Sequence, residues 1–296
     1  MINAVCIQRA MKDSVQQMDG AGVIGVIAGG GQFPRLFIEA ARETGRKTIV
    51  VGFKGETTDE VVAAADCFCW VKLGQLGKVI QFFKENSVSK TVFLGTITKT
   101  RMFRDVFFDI KGLSLWRKID RRHDDAILRA VAGVLEKEGI EVVESTRYLD
   151  RLLFPQGVLT KKRPDEKQHK DIIFGWKMAK AIGALDIGQC VVVRDRTVLA
   201  VEAIEGTDAA ILRGGKLGKE KVVVVKVHKP GQDARFDLPA TGVQTIKSIQ
   251  EAGGAVLAVE AGKSLLFDSA QVIAEAEHHN IVVVGITEDE NGLIQY

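Results

Sequence analysis

Two stretches in the second half of the chain gather the acidic, basic and hydroxyl groups that phosphate chemistry uses. The first is Lys229-Pro230-Gly231-Gln232-Asp233-Ala234-Arg235-Phe236-Asp237-Leu238-Pro239. Side chains alternate faces along an extended segment, so an extended reading puts Asp233, Arg235 and Asp237 on one face. Two carboxylates flanking a guanidinium, with Lys229 close in sequence, form a workable site for Mg²⁺ and a phosphate. Magnesium takes few carboxylates and shares its shell with phosphate oxygens and water, and arginine grips phosphate through two parallel hydrogen bonds. A charge-compensated surface strand is the plainer alternative, although prolines at both ends pin a loop rather than a strand. The second stretch is Glu202-Ala203-Ile204-Glu205-Gly206-Thr207-Asp208, at the end of an apolar run. Acidic groups collected after a strand's carboxyl end are where α/β sites are built. Here too a structural role competes: Thr207 as a helix N-cap, with Asp208 complementing the helix dipole.

A third candidate is the run Gly29-Gly30-Gly31, which closes the apolar segment Val23 to Ala28 and precedes Pro34. Glycines at a strand-to-helix turn let backbone amides approach an anion closely; the bland reading is a tight turn. Gly20, Gly22 and Gly25 satisfy G-x-G-x-x-G, but they lie before and inside the strand, where the dinucleotide turn cannot form. The second strand ends in Gly52, Phe53 and Lys54, without an acidic residue for a ribose hydroxyl, which disfavours NAD.

These candidates need elements to hold them. In the first half, continuous apolar strands (23–28, 48–53, 67–73, 91–97, 141–145) alternate with helical stretches (36–43, 75–85, 123–138). Strands with little polar alternation, separated by helices, predict a Rossmann-like parallel sheet over residues 21–150. Residues 151–168 hold Pro155, Gly157, Pro164 and the basic run Lys161-Lys162-Arg163, and read as a linker with a solvated face. Residues 169–290 then predict a mixed α/β domain. It contains a helix (167–182), a hairpin at Asp195-Arg196 with arms 189–194 and 198–203, and a helix at 207–213. A strand (221–227), a helix (241–252), a strand (255–259), a helix (269–279) and a strand (281–286) complete it.

Composition sets the bounds. The 296 residues exceed what one core usually serves. With 41 basic and 38 acidic residues, a net charge of +3 gives no reason to expect a large nucleic-acid footprint and leaves room for a local anion pocket. Cys6, Cys67, Cys69 and Cys190 lack zinc or CxxC spacing and suit a reducing compartment. No apolar run is long enough for a membrane span. Residues 1–20 read as a short extension rather than a secretory signal.

Five segments carry a resemblance to a known family: IAGGGQFP (27–34), HDDAILRAV (123–131), GQCVVVRDRTVLAVEAIEGTDAAI (188–211), KPGQDARFDLPATGVQTI (229–246) and GAVLAVEAGKSLLFD (254–268). The pairing of VLAVEAIEGTD with QDxRxDLP is specific, and the likeness runs from about Gly22 to Ile286. The chain resembles the LpxI family, UDP-2,3-diacylglucosamine pyrophosphatases of lipid A biosynthesis. That resemblance implies a cytoplasmic homodimer using Mg²⁺ or another divalent cation, with transient contact at the inner-membrane surface. It implies water attacking the sugar-side phosphorus to give UMP and 2,3-diacylglucosamine 1-phosphate. An essential aspartate is expected in the QDxRxDLP segment, Asp233 ahead of Asp237. His123 departs from relatives that carry glycine there. On this view Asp233 and Asp237 are catalytic, binding metal or positioning water, with Glu202, Glu205 and Asp208 as further metal candidates. Lys229, Gln232, Arg235, Thr207 and the turn Gly29, Gly30, Gly31 hold substrate. Two rivals remain at this stage: a non-catalytic sugar-nucleotide sensor and a nicotinamide-dependent oxidoreductase.

Overall fold

The structure, a computed structural model, describes residues 22–97, 109, 124–144, 146, 149–231, 233, 235, 236 and 238–296. Gln232, Asp237, His123 and the 1–20 extension therefore lie outside the described residues. The chain divides into two compact units, and the division does not follow chain order. The first runs up to Leu149 and takes in the Asp233–Asp237 segment; the second comprises Asp150–Gln232 and Leu238–Tyr296.

In the first unit β1 (Val23–Ala28), β2 (Lys47–Phe53), β3 (Cys67–Val71), β4 (Lys90–Leu94) and β5 (Glu141–Val142) form a sheet in the order β3-β2-β1-β4-β5. Every pairing in it is parallel. Helices α1 (Phe33–Glu43), α2 (Asp59–Ala64), α3 (Leu76–Glu85) and α4 (Asp124–Lys137) connect the strands. Both faces are covered, which is why the strands read as unbroken apolar runs: Phe37 and Ile38 of α1, Phe83 of α3 and Leu135 of α4 are fully buried. Each such side chain contributes roughly 1.5–3 kcal/mol by leaving water. Strand order reverses between β1 and β4, so the Gly29–Gly31 turn lies at the switch point where open α/β sheets bind ligands.

In the second unit β6 (Gly157–Val158) pairs antiparallel with β13 (Val282–Glu288), inside the stretch expected as a linker. The backbone N–H groups of Leu159 and Val283 donate to Val283 O (2.9 Å) and Thr160 Oγ1 (3.2 Å), so this stretch is part of the sheet. Helix α5 (Glu166–Ala184) follows, its start fixed by a capping box between Asp165 and Gln168. Next come β7 (Cys190–Arg194), β8 (Thr197–Val201), α6 (Thr207–Gly218), β9 (Val222–Lys226), β10 (Ala240–Thr241) and α7 (Val243–Glu251). The remainder is β11 (Gly254–Glu260), β12 (Leu265–Leu266), α8 (Ser269–His278), β13 (Val282–Glu288) and β14 (Ile294–Gln295). The main sheet runs β14-β13-β11-β9-β7-β8, mixed as expected. The hairpin turns at Asp195 and Arg196, both at positive φ (49° and 55°), which matches the twist of its arms. The buried Asp171 carboxylate accepts both turn amides, at 3.0 and 2.6 Å.

Strand β7 is antiparallel to both neighbours, so β8 runs with β9, β11 and β13. Their carboxyl ends, and the N-termini of α6, α7 and α8 that follow β8, β10 and β12, lie along one edge. Among the described residues no helix is long and apolar enough to cross a membrane.

Candidate active site

The 233–236 segment is a turn rather than an extended ribbon. Phe236 N–H donates to Asp233 O (3.0 Å), and Arg235 N–H donates to Asp233 Oδ1 (3.1 Å). Aspartate bonding its own backbone two residues on competes with strand geometry, and here it wins. Arg235 then closes on the same carboxylate, Nε to Oδ1 at 2.9 Å and Nη2 to Oδ2 at 2.7 Å. Its Nη1 reaches Glu136 of α4 at 2.9 Å, and Arg129 Nε lies 3.9 Å from Asp233 Oδ2. Phe236 meets Phe93 of β4 edge-on, ring centroids 5.5 Å apart. An aromatic anchor and two ion pairs to α4 thus seat this loop on the first unit. Hydrogen bonds and charge from Arg235, with Arg129 adding, hold the Asp233 carboxyl below the usual carboxylate range, so it is ionised at neutral pH.

At the glycine turn two amides are already engaged. Gly29 N–H donates to Leu94 O (2.8 Å) and Gly30 N–H to Thr96 O (2.7 Å). A Cβ on Gly29 would fall 2.4 Å from Thr96 O, so close strand packing alone requires glycine there. Gly31, at φ +87°, has open space where a side chain would project.

The second unit holds the other acidic group. Glu202 is buried; its Oε1 accepts from Thr207 Oγ1 at 2.7 Å, and its Oε2 faces Gln189 N at 3.4 Å. Thr207 is therefore committed to Glu202 and is not the cap. That position belongs to Gly206, at φ 85° and ψ 168°, a region essentially confined to glycine. Nothing lies within 4 Å of a Cβ at Gly206, so substitution there meets only backbone strain. Gly206→Ala is expected to lower stability by about 1–3 kcal/mol, read as an earlier thermal transition by circular dichroism. Asp208 sits in the first turn of α6, and its Oδ1 is buried without a hydrogen-bond partner. Glu205 turns to Arg213 (2.6 Å). Burial, with Glu202 nearby adding to it, pushes the Cys190 thiol up, so that cysteine is inert, as expected for a plain apolar residue.

Sequence reading passed over a set of residues at the same edge. Lys226, at the end of β9, is buried, and its Nζ donates to Ala240 O at 2.7 Å. Glu260, at the end of β11, accepts from Lys180 Nζ (2.5 Å) and His228 N (2.8 Å) and pairs with Lys263 (3.3 Å). Burial pulls the His228 imidazole below its ordinary range, and its Nε2 has no partner. The hydroxyls of Thr241 and Ser264 are also buried and unpartnered. Buried polar atoms are normally satisfied by protein groups or by ordered water, so these positions are polar points in an otherwise apolar part of the second unit. The signal was faint in sequence, because these are single polar residues scattered over separate elements without motif spacing. Lys229 pairs with Asp186 at 2.8 Å.

The structure thus brings Asp233 to Arg235, and Glu202 to Thr207, in different units. Among the described residues, no three His, Cys, Asp or Glu side chains gather as a metal cluster. Asp237 and Gln232 lie outside them.

Comparison with known proteins supplies the family. Residues 23–152 match the model of the LpxI N-terminal domain, and residues 155–284 that of the LpxI C-terminal domain. The UDP-2,3-diacylglucosamine pyrophosphatase LpxI of Caulobacter vibrioides is 33% identical over 281 residues, covering 90% of this chain and 98% of that relative. Matched in both halves and along nearly the whole of a relative, the chain belongs to the LpxI family.

Proposed function

We propose that this protein hydrolyses UDP-2,3-diacylglucosamine to UMP and 2,3-diacylglucosamine 1-phosphate in lipid A biosynthesis. The observation that carries this reading is the match along 98% of a relative bearing that activity in its name. Local geometry supports it: the QDxRxDLP segment presents an ionised aspartate whose position is fixed by a bidentate arginine.

Asp233 orients the attacking water and takes its proton as the oxygen bonds to the sugar-side phosphorus. The bridging oxygen departs with UMP. Arg235 restrains the carboxylate, and its charge with that of Arg129 offsets negative charge growing on phosphoryl oxygens. In the second unit, the unpartnered Asp208 Oδ1 and the buried Glu202 carboxylate, both of which act on Cys190, are the oxygens that would suit a divalent cation. Glu205, tied to Arg213, is the poorest donor there, and Asp233 and Asp237 are assigned to the reaction within the first unit. When bound, Mg²⁺ would neutralise phosphoryl charge and lower the pKa of its water. Thr207, Lys229, Gln232 and the Gly29–Gly31 turn are assigned to substrate. A homodimer in the cytoplasm, touching the inner-membrane surface to exchange lipid, completes the proposal.

The test is UMP release from UDP-2,3-diacylglucosamine by the purified chain, before and after EDTA. Turnover that is lost with chelation and restored by Mg²⁺ is expected. Substrate binding without UMP release would favour a sensor.

A further inference from the structure

Helix α5 has two faces, and one of them belongs to the core of the second unit. Ile172, Trp176 and Ala179 are buried in the cluster that includes Val191 of β7 and Val225 of β9. The opposite face follows at spacings of three and four through Lys167, Lys170, Phe174, Lys177 and Ala181 to Leu185, which ends the helix. The three lysines and Ala181 are exposed, and Phe174 is half-buried. Leu185 is 72% exposed, and Ile187 just beyond it 48%. The run Lys161-Lys162-Arg163, exposed throughout, precedes the helix. Acidic groups close to these cations are committed. Asp165 caps the helix by accepting Gln168 N–H at 2.8 Å, Glu166 pairs with Lys170 at 2.6 Å, and Glu277 pairs with Lys161 at 2.9 Å. Asp186, at the far end, pairs with Lys229 at 2.8 Å. Past Glu166 the other acidic residue of α5 is Asp171, buried beneath the hairpin turn.

We propose that this face of α5 rests on an anionic lipid surface, with Lys162, Arg163, Lys167 and Lys177 meeting headgroup phosphates and Phe174, Leu185 and Ile187 entering the acyl boundary. The outer side of a surface helix ordinarily carries polar groups that need only water. Here cations of one sign alternate with large apolar side chains, the combination found in helices that lie in a membrane interface. Cations alone would suit a nucleic acid equally well. Leu185 and Ile187 gain nothing from a phosphate backbone, whereas lipid removes their exposed area from water. The helix is already folded and packed on the sheet, so contact adds no backbone ordering to the cost of binding. In sequence the basic run reads as a solvated face; the fold joins to it the lysines and apolar residues of α5. The inference rests on the reading of the chain as a hydrolase of a lipid-bearing sugar nucleotide, and it names the side of the second unit that faces the lipid.

The full-length protein is floated with vesicles of phosphatidylglycerol and phosphatidylethanolamine, and with vesicles of phosphatidylcholine alone, in dilute and in about 0.5 M salt. Binding to the anionic vesicles is expected, lost at high salt and absent from phosphatidylcholine. Each cation near an anionic surface contributes roughly fivefold in affinity, so the triple variant Lys162→Gln, Lys167→Gln, Lys177→Gln should bind about a hundredfold more weakly. The double variant Leu185→Ser, Ile187→Ser should lose roughly tenfold and keep the salt dependence. Circular dichroism, and UMP release from detergent-dispersed substrate, should match wild type in both variants, because none of these residues is assigned to the reaction. Vesicle affinity unaltered in the folded triple variant, or equal binding to phosphatidylcholine, overturns the proposal. So does a lower oligomeric state of either variant by sedimentation, which would make the face a contact between copies, and so does tighter binding of single-stranded RNA than of vesicles. An enzyme that releases UMP but never binds vesicles removes the lipid-facing assignment and leaves the hydrolase reading standing; vesicle binding without UMP release does the reverse.

Discussion

Asp233→Asn is expected to lower kcat on the order of 10³-fold, the loss typical of a positioned proton acceptor, with thermal unfolding close to wild type. The two effects separate because the pair it forms with Arg235 is partly solvated, and such pairs stabilise by about 1 kcal/mol or less. Arg235 would keep its bond to Glu136, so the turn stays seated through that contact and through Phe236 on Phe93. A companion variant reads the electrostatics. Arg235 holds the Asp233 carboxyl below its ordinary range, so the wild-type acid limb lies at low pH. Arg235→Gln removes that bias, the carboxyl titrates at higher pH, and the acid limb of kcat/KM moves upward. A profile that does not move, or an Asp233→Asn enzyme retaining most of its kcat, would take Asp233 out of the reaction.

The largest stability loss is expected from Glu260→Leu. This buried carboxylate receives Lys180, the His228 amide and Lys263, and its removal leaves Lys180 without a counter-charge. Breaking one side of a buried pair typically costs about 3–5 kcal/mol. At this chain length that is roughly 6–20 °C in Tm. A paired variant separates lost charge balance from lost packing. Adding Lys180→Met to Glu260→Leu replaces the pair by apolar groups and should recover most of the loss, since Lys180 already lies against Trp176, 4.8 Å from its ring centroid. Differential scanning calorimetry of the three proteins reads this directly. A single variant within 2 °C of wild type, on the scale of about 2–4 °C per kcal/mol, would show that Glu260 does not organise the edge.

The sheets were legible because burial on both faces leaves a mark that needs no tertiary knowledge. Val222–Lys226 and Val282–Glu288 are apolar along almost their whole length, and so are β1 and β2. The Asp195-Arg196 hairpin was legible too, since a short polar break separates two apolar arms, and the structure turns there with both residues at positive φ. Helix α6 was read too short, stopping at Arg213, because Gly214, Gly215 and Gly218 look like an end. They are packing sites: a Cβ on Gly215 would come within 2.5 Å of Ala252, so glycine lets α6 approach its neighbour. The two-residue strands β6, β10 and β12 left no periodicity to find.

The site was less legible, for reasons of contact range. The Asp-Arg-Asp segment stood out by composition, yet an extended ribbon was expected where Asp233 bonds its own backbone into a turn. Its seat on Glu136 and Phe93 depends on residues far away in sequence, 99 positions in the case of Arg235 and Glu136 and more for Phe236 and Phe93, which no local pattern encodes.

Hydrolysis in ¹⁸O-labelled water, with the label located by mass spectrometry, reaches the core of the account. Water directed at the sugar-side phosphorus predicts ¹⁸O in 2,3-diacylglucosamine 1-phosphate and none in UMP. Label recovered in UMP, or no cleavage of UDP-2,3-diacylglucosamine at all, would contradict it.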